Sequence, residues 1–296
     1  MHRLAPEDPE SPGYLEDQVR RLACGYAPLL REAEAFSHTT ALILFAAPIR
    51  CSADLHVTAT HPSGPARGRN VAGHRTRREF APRLSPDQLP CVPLELAIAQ
   101  CGTAQRGTAQ RGMILPFTEL VIAIDHLICP RRDRAQPILD HATLAHSLEH
   151  LNSPGIDRVR AACAVARIGA ESRYETLTRL ELARLGLDSL ELQVDLYDAN
   201  GAWIGRFDLV DRERRKILEF DGEQHRSDRE QYLKDQVRLD RARRAGYSIL
   251  RLNREDFHPT AIQRTRASLC EFLDTPPRAI PRRLARYLAE PSVPQP

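Results

Sequence analysis

The chain has almost no lysine. Only Lys216 and Lys234 occur among its 42 lysines and arginines, so lysine-based chemistry is confined to two positions. It also lacks the close-spaced cysteine pairs of a zinc site: Cys24, Cys51, Cys91, Cys101, Cys129, Cys163 and Cys270 are far apart. An odd, scattered set of seven does not make a disulfide framework, and a reducing, cytoplasmic setting is expected. Long apolar runs are missing. The longest, TTALILFAAPI at 39–49, is shorter than the ~20 residues that span a bilayer, so no membrane partner is expected. The opening MHRLAPEDPESPGYLEDQ is polar and acidic and does not read as a signal peptide. A net charge of +3 excludes a polycation, so any basic surface must be local.

What is present is ordinary globular composition, 42% apolar and 27% charged, over 296 residues, a length that suggests two domains. Residues 1–13 are rich in proline and acid and are expected to be disordered. Residues 14–152 read as a helical α+β domain. Helices are expected over 14–34, from Ser37 to Pro48, and over 92–102, 119–128 and 143–151. DLHVTAT (54–60) and NVAGHRTR (70–77) read as partner strands across a Gly/Pro/Arg loop. GTAQRGTAQRG repeats five residues once, which suits a tolerated insertion in a surface loop. Ser153-Pro154-Gly155 breaks the chain ahead of a connecting helix within 153–169.

Residues 170–273 carry sharper signals. Ser172 and Glu175 form a capping box that opens a helix, and Gly186 closes it. Asn200-Gly201 marks a hairpin. The strand KILEFDG follows, then a helix opened by Ser227 and Glu230 and stopped by Gly246. YSILRL is a further strand, and a last helix covers 259–273. The order α-β-β-β-α-β-α predicts an α/β fold with a mixed sheet flanked by helices. The tail, 274–296, is rich in proline and arginine and reads as extended, with one turn of helix at 281–289.

The unusual stretch is ILEFDGEQHR at 217–226. Glu219 and Asp221 sit two apart in an apolar strand and so share a face. Two like charges held close repel, and burying either alone is costly, which asks for a compensating cation. Asp208 in the preceding strand reaches Glu219 if the two strands pair. Asp208 and Glu219 are therefore candidate ligands for Mg²⁺ or Mn²⁺, hard ions that take carboxylates and water. Plainer roles stand beside these. Glu175 serves equally as the capping partner of Ser172, and Asp208 as a turn residue. A salt bridge from an arginine such as Arg206 would account for Glu219.

ESRYETLTRLELARLGL, then GRFDLVDRERRKILEFDGEQHRSDREQYLKDQVRLDRARRAGYSILRL, resembles a bacterial domain family related to the very short patch repair endonuclease, within the PD-(D/E)xK superfamily. The resemblance covers about residues 170–273. It implies a restriction-endonuclease-like mixed sheet preceded by a mostly helical α+β domain. It also implies Mg²⁺-dependent cleavage or nicking of DNA, in repair or defence. Carried over, Asp208 and Glu219 match the metal ligands, and Glu175 matches a helix acid that acts through water. Asp221 stands where the motif has lysine and cannot donate to a phosphate. His225 then becomes the candidate acid/base, with Gln224 orienting and Lys234 as a substitute. Separately, FSHTTALILFAAPI, LHVTATHPSGPARGR and VPLELAIAQ resemble the middle region of actinobacterial AbiEi-type abortive-infection antitoxins, which usually begin with a winged helix-turn-helix; the residues before Ser37 read as too few and too weakly patterned for one.

Two functions follow. One is the DNA endonuclease. The other is a non-catalytic, nucleic-acid-binding or antitoxin-type regulator on the same fold, with a toxin partner or a second copy of itself. Lys234, Arg238, Arg241, Arg243 and Arg244 along one helix suit phosphate contacts, and equally a solvated helix face. His146 and His150 lack the glutamate of a zinc-peptidase helix and read as a surface pair.

Overall fold

Turn formers and apolar periods divide the chain into short elements, and packing sorts these into two compact units. The structure is a computed structural model and describes residues 13–102, 115–130, 136–187, 189–222 and 229–290. The acidic N-terminal dozen, most of the GTAQR duplication, Gln224, His225 and Ser227 lie outside them. The first unit runs to Ala166 and includes Glu290; the second covers Arg167–Ala289. No described helix is long and apolar enough to cross a membrane.

The first unit is α+β. Helix α1 (Tyr14–Tyr26) is shorter than the 14–34 expected. Pro28 sits in a 3-10 turn, Ala27–Leu29, and cannot continue an α-helix. Strand β1 (Glu34–Phe36) follows, then α2 (His38–Leu44), buried along its whole length. Strands β2 (Leu55–Thr60) and β3 (Val71–Thr76) do pair, and they pair in parallel. Short strands β4 (Arg83–Leu84) and β5 (Pro90–Cys91) complete a sheet of order β3-β2-β1-β5-β4. Helices α3 (Leu94–Gly102), α4 (Phe117–Ile128), α5 (His141–Glu149) and α6 (Ile156–Val165) add to the unit. All of α4 is buried, Glu119 and Asp125 included; Glu119 accepts from Arg50 N–H at 2.7 Å. The helix read as a connector, α6, belongs to the first unit, and its Arg158 grips Glu290 through two nitrogens, at 2.7 and 2.5 Å.

Gly73 in β3 has no room for a side chain. A methyl group there would overlap the Ala66 carbonyl oxygen and lie 2.7 Å from the Ala66 nitrogen. The obstacle is backbone, so it cannot rotate away. Gly73→Ala should lower stability by ~1–3 kcal/mol, read as a shifted urea midpoint. An unchanged midpoint would contradict this close approach.

The second unit follows the predicted order. Helix α7 (Arg173–Arg184) is capped by Ser172, whose hydroxyl accepts from Glu175 N–H at 3.2 Å, and ends at Gly186 with φ 68°. Strands β6 (Glu191–Tyr197) and β7 (Trp203–Asp211) form the hairpin around Asn200-Gly201. The Asp198 carboxylate accepts from the backbone of Asn200 and Ala202, both at 2.9 Å, and holds that turn. Beside it Tyr197 pairs with Trp203, whose indole N–H donates to Asp195 at 2.8 Å. Strand β8 (Lys216–Phe220) runs antiparallel to β7 and parallel to β9 (Ser248–Leu252). The sheet is thus mixed, with order β6-β7-β8-β9. Helix α8 (Arg229–Arg244) sets Leu239 and Ala242 against Val194, Phe207, Val210 and Ile217. Helix α9 (Ile262–Phe272) follows, and α10 (Arg282–Leu288) is the short helix expected at 281–289.

Candidate functional site

Three of the predicted acids come from three elements of the second unit. Glu175 is in the first turn of α7, Asp208 in β7 and Glu219 in β8. Tyr174 stacks on Phe220 with ring centroids 4.2 Å apart, which holds the start of α7 against the end of β8. The β7–β8 ladder pairs Leu209 with Leu218. One step further on, the Asp208 side chain replaces the ladder, accepting from Phe220 N–H at 3.0 Å.

Gln193 joins two of the acids. Its amide nitrogen donates to Glu175 at 2.8 Å and to Asp208 at 3.3 Å. Its oxygen accepts from Arg206 Nε at 2.8 Å. Gln193 has φ 50° inside a strand, the left-handed region that non-glycine residues rarely adopt. Glu175 also accepts from Glu171 N–H at 2.9 Å, one residue ahead of the cap. Burial pushes the Asp208 carboxyl up to about 7, and the Glu175 charge adds to the rise, against the hydrogen bond from Phe220 and the Arg238 charge. Burial likewise raises Glu175. Each acid resists ionisation while the other is charged.

Glu219 is differently placed. It is buried, and Arg238 of α8 grips both its oxygens, at 2.6 and 2.9 Å. The same guanidinium donates to the Arg206 carbonyl at 2.7 Å and lies over the Phe207 ring. Burial raises the Glu219 carboxyl against this pull. The arginine that answers Glu219 is therefore Arg238. Arg206 instead turns to Gln193 and to Glu171, at 3.3 Å.

Asp221 pairs with Arg251 at 3.0 Å, and its backbone N–H donates to Leu252. Lys234 is exposed on α8 and Arg241 half-buried. Arg243 is paired with Asp240 at 2.8 Å. His225 and Gln224 lie outside the described residues.

Sequence reasoning missed a second cluster, in the first unit. His38, His56 and His74 each offer a ligand atom, and these atoms lie within 4.8 Å of one another. Among the described residues this is the only group of three or more histidines, cysteines or acids drawn so close; Glu175, Asp208 and Glu219 do not form another. His38 opens α2 with φ 51°, and its Nδ1 lies 3.0 Å from Ser37 Oγ. His56 is in β2 and His74 in β3; parallel pairing sets Thr58 opposite His74 and brings His56 Nδ1 to 2.9 Å from His74 Nε2. His38 and His74 stack at 3.9 Å. Burial holds His56 down at about 4, with His74 contributing, and holds His38 well below the usual imidazole range. His56 Nε2 is buried without a hydrogen-bond partner. No local spacing signals this trio, because the parallel register creates it.

Comparison with protein-family models, with curated proteins and with solved structures returns no match.

Proposed function

We propose that residues 167–289 form a metal-dependent phosphodiesterase of the restriction-endonuclease-like type, acting on DNA. The observation that carries this reading is half-buried Asp208 held beside buried Glu175 by Gln193, with the Asp208 carboxyl pushed up to about 7. Two neighbouring carboxylates, largely shielded from water, that hinder each other's ionisation are a place where a cation is welcome. The α-β-β-β-α-β order and the mixed sheet agree with it.

Asp208 and Glu175 fit a hard cation; Glu219 fits one only after releasing Arg238. Mg²⁺ or Mn²⁺, when bound, supplies an activated water and neutralises charge on the phosphate. Gln193 and Phe220 N–H aim the Asp208 carboxylate, and Gln193 aims Glu175. Asp221 is tied to Arg251, so this position supplies an acceptor where a phosphate needs a donor. Proton transfer is left to His225, oriented by Gln224, with Lys234 the alternative. Arg241 and Lys234 would meet DNA phosphates.

A second reading rests on one specific contact. The closed fork between Glu219 and Arg238 suits a fold whose metal site has been retired to structure. The protein would then bind DNA, or a toxin partner, as a regulator.

Thermal unfolding with and without Mg²⁺ separates the two readings, since imidazole clusters take Mg²⁺ poorly. A ligand of the native state at a hundredfold excess over its Kd adds about 2.7 kcal/mol. The expected result is a rise in the wild type that Asp208→Asn loses, together with Mg²⁺-dependent DNA cleavage that the same variant abolishes. Salt-sensitive DNA binding with no metal response in either protein would favour the regulator instead.

A further inference from the structure

The histidine trio lies in the other unit and carries its own chemistry. We propose that His38, His56 and His74 form a binding site for one divalent transition-metal ion, with Zn²⁺ the best match. Three imidazoles are a recurrent nitrogen set for Zn²⁺, leaving a fourth position for water or an anion.

Four features support the site. The ligand atoms lie within 4.8 Å of one another, close enough for ring rotation to bring them to one centre. The residues come from α2, β2 and β3, elements tied together by hydrogen bonds at the cluster itself: His56 N–H donates to Thr40 Oγ1 at 2.8 Å, and Ser37 N–H donates to the His56 carbonyl at 2.8 Å. Ser37 Oγ already meets Nδ1 of His38, the kind of hydroxyl contact that orients a metal-bound imidazole from its far side. Nε2 of His56 is a buried nitrogen with no partner, and a polar atom in that condition is costly unless something satisfies it.

Binding would rearrange the rings. A metal–nitrogen bond lies in the imidazole plane, and His38 and His74 are stacked with only 27° between their planes. Lone pairs of near-parallel rings do not meet at one point. At least one ring must rotate, and half-buried His74 has the most room. The 2.9 Å contact between His56 Nδ1 and His74 Nε2 then opens. Metal uptake therefore breaks the stack, and ring NMR signals of all three histidines should move together.

The test uses the full chain, stripped with chelator and titrated with Co²⁺ and then Zn²⁺. The expected result is one equivalent of Co²⁺ with the visible absorption of a four-coordinate nitrogen site, displaced by Zn²⁺. His74→Gln should weaken binding at least tenfold while keeping the parent circular dichroism spectrum, and His56→Asn should behave alike. Ser37→Ala, which removes only the orienting hydroxyl, should weaken binding by about 10–100-fold. Asp208→Asn should leave it unchanged, so failure of this site and failure of the phosphodiesterase reading remain distinguishable. The proposal is overturned if the wild type takes up neither ion with movement of its histidine signals. It is equally overturned if uptake survives His74→Gln and disappears on thiol alkylation, which would assign the metal to cysteine.

Discussion

Arg238→Met should cost the second unit about 3–5 kcal/mol, the usual result of breaking a buried ion pair from one side. Glu219 would be left buried with neither oxygen matched, and must either hold an unpaired charge or take up a proton, each at a cost. The Arg206 carbonyl would lose a donor at 2.7 Å, and the Phe207 ring would lose the cation above it. Arg238→Lys should rescue little, because one ammonium cannot reproduce a fork that meets two carboxylate oxygens and a carbonyl. The informative partner is the double variant Arg238→Met with Glu219→Met. Replacing both charges with apolar side chains of similar size is often neutral. Urea unfolding should therefore show a large loss in the single variant and recovery of most of it in the double. A loss below ~1 kcal/mol for Arg238→Met would mean that the fork is a solvent-screened contact.

Raising the pH from 5 to 8 should weaken the wild type by about 3 kcal/mol more than Asp208→Asn, from the slope of about 1.36 kcal/mol per pH unit for one proton. An unfolded aspartate titrates near pH 4, whereas folding lifts the Asp208 carboxyl to about 7. A raised acid favours the folded state while it is protonated. Its contribution is fully present below the unfolded value and is lost as pH climbs through about 7. Glu175, raised in the same sense, adds to the loss. The amide of the variant cannot ionise and can still accept from Phe220 N–H, so the variant should be the more stable protein at pH 8. Parallel pH profiles for the two proteins would rule out a proton-holding Asp208. Under the phosphodiesterase reading, Mg²⁺ at pH 8 should restore the wild type and leave the variant alone.

Much of the second unit was legible because its signals are local. Asn200-Gly201, the Ser172 cap, and the stops at Gly186 and Gly246 act over a few residues, and each has the expected place in the fold. Acids two apart at the end of β8, Glu219 in the strand and Asp221 just past it, announced an electrostatic conflict, but not what resolves it. Arg206 looked nearer along the chain, while Arg238 comes from the next helix, on the side that also buries Leu239 and Ala242. Arg238, Arg241, Arg243 and Arg244 share one helix, but the roughly 100° turn between neighbours takes Arg238 inward to Glu219. Gln193 carries no motif; its role depends on a strained backbone in a strand that looked regular. The histidines were hidden further still. His56 and His74 meet diagonally, two positions off direct register, because β2 and β3 run parallel, and a hairpin between the same segments would have aligned different residues.

The tryptophan beside the hairpin turn is the chain's only one. Its indole is just over half exposed (53%) and lies five residues along β7 from Asp208. Excitation at the red edge of the tyrosine band therefore reports on the second unit alone, while the first is optically silent. Emission from so wet an indole already lies at long wavelength, so unfolding will shift it little. Its intensity is the useful signal: a nucleobase stacking on Trp203 would quench it, and a metal bound only by the histidines would leave it unmoved.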